Sequence, residues 1–87
     1  MNRKERIESI LSRHLDDWNI NLLDKSKEHI GHENFNGDQE SHFTLILKSK
    51  LISKPNRFKL HKKINNLLKD EFKKGLHSLE INILSKF

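Results

Sequence analysis

The chain contains no cysteine. That excludes disulfides, thiol catalysis, cysteine zinc sites and any iron–sulfur cluster held by thiolates of this chain alone. Its six histidines are left as the only good soft-to-borderline metal ligands. Long apolar runs are also missing: a membrane span needs about 20 such residues, and no stretch approaches that. No membrane association is therefore expected. The opening Met1-Asn2-Arg3-Lys4 is charged but no apolar stretch follows, so a secretory signal is not expected and the expected place is the cytoplasm, of a bacterial cell. Enzyme motifs are absent too. There is no nucleophile elbow, phosphate loop or zinc-protease helix motif, and no enzyme is expected. Ser41 beside His42 is not expected to work as a pair, because neighbouring strand residues point to opposite faces. Asp16-Asp17 reads as a structural turn.

What is present suits one small domain spanning residues 1–87. A chain this short buries only about 60% of its unfolded surface, so the core must be one layer of helices against one sheet. The apolar fraction is 33%, but it falls in periodic patterns, which argues for a fold rather than disorder. The net charge of +5 would suit nucleic acid or a membrane surface. Most of that charge is lysine, accompanied by abundant asparagine and isoleucine, and an A+T-rich genome produces the same composition by default.

Ile7, Ile10, Leu11 and Leu15 recur at helical spacing and predict a helix from about Arg3 to Leu15, with Asn2 as its N-cap. From Trp18 the period drops to two, and Trp18, Ile20 and Leu22 predict a strand with one buried face. Residues 25–39 are polar, contain Gly31 and Gly37, and read as a long loop carrying His29 and His32. Strand character returns over Glu40–Lys48, with Phe43, Leu45 and Leu47 on one face and His42, Thr44 and Ile46 on the other. After a connection ending near Pro55, Leu60, Ile64, Leu67, Leu68 and Phe72 mark the inner face of a helix over Asn56–Lys73. Gly75 is placed to end it in a left-handed conformation. Leu79, Ile81 and Ile83 predict a last strand over His77–Leu84.

The order is helix, strand, strand, helix, strand. The first two strands can pair antiparallel, and the third can join the second in parallel through the helical crossover. In that arrangement the 25–39 loop and the start of the last strand share one edge of the sheet. His77, His42, His29 and His32 then converge, though they are far apart in sequence. Convergent imidazoles suggest metal binding.

Asp24, Ser26 and His29, then Glu40-Ser41-His42-Phe43, His61, and Gly75-Leu76-His77-Ser78-Leu79 together resemble the BolA family over nearly the whole chain. The resemblance implies an α+β, KH-like (type II) α-β-β-α-β sandwich, with a three-stranded mixed sheet and helices on one face. It also implies a partner, a monothiol glutaredoxin, with which a [2Fe–2S] cluster is shared for assembly, trafficking to iron–sulfur client proteins, or iron and redox regulation. His77 matches the family's C-terminal ligand and His29 its loop ligand, with His32 and His42 as second candidates. For His42 a supporting, hydrogen-bonding role beside the site is preferred. The glutaredoxin cysteine and glutathione would supply the thiolates, so no tightly bound cofactor is expected in the isolated chain. Such mixed ligation resembles a Rieske centre. The family's Arg-His-Arg appears as Leu60-His61-Lys62, and its Thr-Pro tail is replaced by Leu84-Ser85-Lys86-Phe87.

The second expectation is DNA binding by a transcriptional regulator, through Lys59, His61, Lys62 and Lys63 on the long helix. Against it, a KH module grips the backbone with a Gly-x-x-Gly loop, and Gly31, Gly37 and Gly75 do not make that spacing. No aromatic interleaving for base stacking is visible along the sequence.

Overall fold

The computed structural model describes residues 2–25, 41–51 and 55–84. In chain order the elements are α1 (Arg3–His14), β1 (Trp18–Asp24), β2 (His42–Ser49), α2 (Arg57–Leu67), α3 (Lys69–Lys74) and β3 (Ser78–Leu84).

Helix α1 starts where its chemistry says it should. The Asn2 side chain accepts from the Glu5 N–H at 2.8 Å, and the Glu5 carboxylate accepts from the Asn2 N–H at 3.2 Å. This reciprocal capping satisfies two donors that a helix start leaves unpaired. At α2 the cap is one-way: the Asn56 side chain accepts from the Lys59 N–H at 3.0 Å.

The sheet has the order β1-β2-β3. β1 pairs antiparallel with β2, setting Leu22 opposite Leu45 and Asp24 opposite Phe43. β3 pairs parallel with β2, setting Phe43 opposite Leu79 and Leu47 opposite Ile83. These are the pairings and directions that the element order predicts. Alternation sends Leu22, Phe43, Leu45, Leu47 and Ile83 to the face covered by helices, where they meet Ile7, Leu11, Leu60, Ile64 and Leu68 in one core. The other face carries Asn19, Asn21, His42, Thr44, Lys48, Ser78 and Glu80.

The continuous helix expected over Asn56–Lys73 is in fact two helices, divided at Leu68, whose backbone leaves the helical region (φ −100°, ψ 12°). Leu68 keeps its bond to the core side: it is fully buried and its N–H still donates to the Ile64 carbonyl at 3.0 Å. The break re-aims the turn that follows. Glu71, not Phe72, becomes its buried residue, and Phe72 is only half-buried. Phe72 still packs against the core from its edge, as its place in the apolar stripe predicts, while Glu71 takes the fully buried position.

Glu71 is 4% exposed. A carboxylate so placed must be paired. It accepts from Arg6 Nε at 2.8 Å, Arg6 Nη2 at 3.0 Å and Arg3 Nε at 3.2 Å. Arg3 Nη2 also donates to the Lys74 carbonyl at 3.1 Å. The cluster ties the first turns of α1 to α3. The hydrogen bond from Arg6 is the main cause holding the Glu71 carboxyl below its ordinary value, against the opposing effect of burial, with the Arg6 charge and Arg3 adding to it. A depressed folded-state value stabilises the fold above the ordinary value of about 4.5, and that contribution is lost as pH falls through the folded value.

Glu71→Gln is therefore expected to cost about 1–3 kcal/mol at neutral pH. Urea unfolding followed by circular dichroism should show the variant losing less stability than wild type as pH falls from about 5 to 3, because the group that titrates is gone.

Candidate functional site

The site grows from the junction where three chain segments meet at one end of the sheet. β1 ends at Asp24, and the next residue, Lys25, donates its N–H to the His42 carbonyl at 2.7 Å. The connection to β2 therefore leaves and returns at the same edge. β2 is entered through Ser41, which is 1% exposed. Its carbonyl accepts from the His77 N–H at 2.7 Å and from the Ser78 N–H at 3.2 Å. His77 is not the first residue of β3, as expected from the sequence, but the residue just before it. Its main chain is nonetheless anchored to β2.

His42 and His77 come together as the element order predicts. Their rings stack, with centroids 5.7 Å apart and planes inclined at 17°. His77 is exposed and His42 half-buried. Ser41 Oγ and His42 Nδ1 are hydrogen-bonded at 2.9 Å. The two side chains meet, although strand alternation would send neighbouring residues to opposite faces. The alternation rule holds within a strand, but Ser41 precedes β2, whose first residue is His42. The bond ties the His42 ring to a buried residue. A concavity of about 370 Å³ opens beside His42, lined by Leu23, Lys25, Thr44, Ser78 and Glu80 among others.

His29 and His32 lie outside the described residues. Among the described residues no group of three or more His, Asp or Glu side chains is placed to hold a metal ion. His14 stands elsewhere, exposed at the end of α1, where its carbonyl accepts from Lys63 Nζ at 3.0 Å.

Residues 11–86 match the family described as BolA-like protein. The chain belongs to the BolA-like family. It is 38% identical over 84 residues to the UV-induced protein uvi31 of Schizosaccharomyces pombe, covering 93% of this chain and 82% of that one. It is 37% identical over 83 residues to SufE-like protein 1, chloroplastic/mitochondrial, of Arabidopsis thaliana, covering 91% of this chain but only 22% of that protein. The solved structure of BolA1 from Arabidopsis thaliana superposes with a TM-score of 0.77 at 31% identity, covering 98% of this chain and 93% of the other. The plant relatives are longer in sequence: this chain spans 22% of SufE-like protein 1 and 51% of the chloroplastic protein BOLA1.

Within this BolA-like fold the basic candidates of α2 do not form one strip. Lys59, Lys62 and Lys63 are exposed and recur at the three- and four-residue spacing of one helix face. His61 falls on the side bordering the core and is half-buried. Two features escaped sequence reasoning. Phe58 is 72% exposed, with Lys62 Nζ 5.4 Å from its ring centroid. Its four-residue distance from Lys62 and its place outside the apolar stripe were the available signals. Glu71 was the other; a carboxylate three residues after Leu68 falls within that same stripe.

Gly75 delivers the chain from α3 to His77. Its φ of +129° is one that L side chains rarely adopt, and a Cβ there would approach Arg3 Nη2 to 3.1 Å. Gly75→Ala is expected to cost about 1–3 kcal/mol. It should also displace the backbone amide signal of His77 in a nitrogen–proton NMR spectrum, since the glycine sets how the chain reaches Ser41.

Proposed function

We propose that this chain is a non-enzymatic adaptor that binds a monothiol glutaredoxin and co-ligates a [2Fe–2S] cluster with it. The cluster is cargo, held for assembly, for trafficking to iron–sulfur client proteins, or for iron and redox regulation. The observation that carries the reading is His77: an exposed imidazole, fixed by its backbone at the sheet edge and stacked on His42. The donor chemistry fits a shared cluster. Imidazoles without a single cysteine can complete one iron of a mixed site, but thiolates must come from elsewhere. In this reading the glutaredoxin cysteine and glutathione supply them. His77 is the principal ligand, and His29, or else His32, in the connection between Lys25 and Ser41 is the second. A cytoplasmic setting is part of the proposal.

The test is reconstitution of the chain with a monothiol glutaredoxin, glutathione, iron and sulfide. A heterodimer with visible absorption and circular dichroism unlike those of the glutaredoxin alone is expected. His77→Ala should abolish or alter that spectrum while the far-ultraviolet spectrum stays folded. An unchanged visible spectrum would overturn the ligand assignment.

Phe58 favours a second reading, a DNA-binding regulator. An exposed ring beside Lys59, Lys62 and Lys63 combines a stacking surface with phosphate contacts. Here Phe58→Ala should weaken binding of a single-stranded oligonucleotide by about 1–3 kcal/mol, measured by fluorescence anisotropy. Binding that merely rises as salt is lowered, indifferent to Phe58, would mark generic charge instead.

A further inference from the structure

We infer that Ser41 and His42 form a positioning device for His77, setting the direction in which its imidazole faces a bound metal centre; the inference rests on His77 being a cluster ligand. An exposed histidine ordinarily samples several ring orientations, and a ligand that must meet a metal held partly by another protein loses affinity when it does so. Here three constraints act on one side chain. The His77 main chain is fixed by its N–H, which donates to the Ser41 carbonyl at 2.7 Å. Its ring lies against the face of His42, with centroids 5.7 Å apart and planes at 17°. The His42 ring cannot turn freely in response, because its Nδ1 is bonded to Ser41 Oγ at 2.9 Å.

Ser41 thus acts twice, through its carbonyl on the backbone of His77 and through its hydroxyl on the ring that His77 leans on. Its burial, at 1% exposed, keeps both atoms in place. His42 is half-buried while His77 is exposed, so the two rings are graded from a rigid interior to an accessible tip. Partners that orient a ligating imidazole commonly hydrogen-bond its second nitrogen. Among the described residues the contact to the His77 ring is made through its face instead, which leaves its nitrogens to the metal.

The first measurement is made on the isolated chain, with no cluster. The ring-proton NMR signals of His77 should be displaced by the ring current of His42. His42→Ala is expected to remove that displacement, and His42→Phe, which keeps a ring face, to restore most of it. Ser41→Ala should move the His42 ring signals and, through them, those of His77. All three substitutions should leave the backbone signals of the helices unmoved. The second measurement is made on the heterodimer reconstituted with a monothiol glutaredoxin, glutathione, iron and sulfide. There His42→Ala should hasten loss of the visible dichroism bands by about 10-fold, with recovery in His42→Phe.

His77 ring signals that are the same in wild type and His42→Ala would overturn the inference. So would displaced signals accompanied by a cluster as long-lived as that of the wild type. Failure of the underlying reading is recognised separately: His77→Ala would then leave the heterodimer spectrum intact, whatever the isolated chain shows.

Discussion

The parallel pairing of β3 with β2 is the constraint on which the rest of this structure depends. Antiparallel neighbours can be joined by a short turn, but parallel ones require the chain to cross back over the sheet. The α2–α3 segment makes that crossing and, in doing so, covers the apolar face of the sheet with Leu60, Ile64 and Leu68. The same return brings the residue before β3 to the edge where β2 begins. The Ser41 carbonyl takes both His77 and Ser78 N–H groups there. Core and candidate site are consequences of one topological step.

How accurately β3 is delivered depends on the end of the crossover. Leu68 breaks the helix so that Glu71 turns beneath Arg3 and Arg6, and the ion cluster fixes α3 against α1. Gly75 then reverses the chain, and the Leu76 N–H donates to the Glu71 carbonyl at 2.9 Å. Glu71 therefore holds α1 through its side chain and the turn toward His77 through its main chain. A break here would be felt in the position of His77, although Glu71 belongs to the helical layer. This gives the buried charge a structural part in placing the turn.

Membership of the BolA-like family agrees with this frame, and the superposition with a solved BolA1 shows the frame is shared along almost the entire chain. The frame alone does not assign an activity. What distinguishes the edge is its composition: a buried serine and a half-buried histidine side by side, joined by an exposed histidine from far along the chain. The opposite layer offers a different chemistry, with Phe58 and Lys62 exposed on α2. The two surfaces belong to different elements and can be separated by substitution.

Much of the fold was legible in the residues. Period-two alternation placed β1, β2 and β3 and their buried faces, and Asn2 and Gly75 marked helix ends by capping chemistry that needs only local sequence. The convergence of His42 and His77 also followed, because strand order and direction decide which ends meet. Other features were hidden. The division at Leu68 leaves the apolar spacing intact, so periodicity reads straight through it. The Ser41–His42 bond depends on where a strand begins, a boundary that alternation blurs by a residue or two.

By itself the sequence determined the element order, the apolar faces and the supply of ligand types: histidines without a thiol. These are properties of residue identity and of spacing along the chain. Only the tertiary structure decided that Glu71 joins α1 to α3 and that Ser41, His42 and His77 touch at one edge. Each of those is a contact between atoms on separate elements or at an element boundary. Such contacts exist only once the crossover has set the register of β3, and no local pattern encodes their distances or angles.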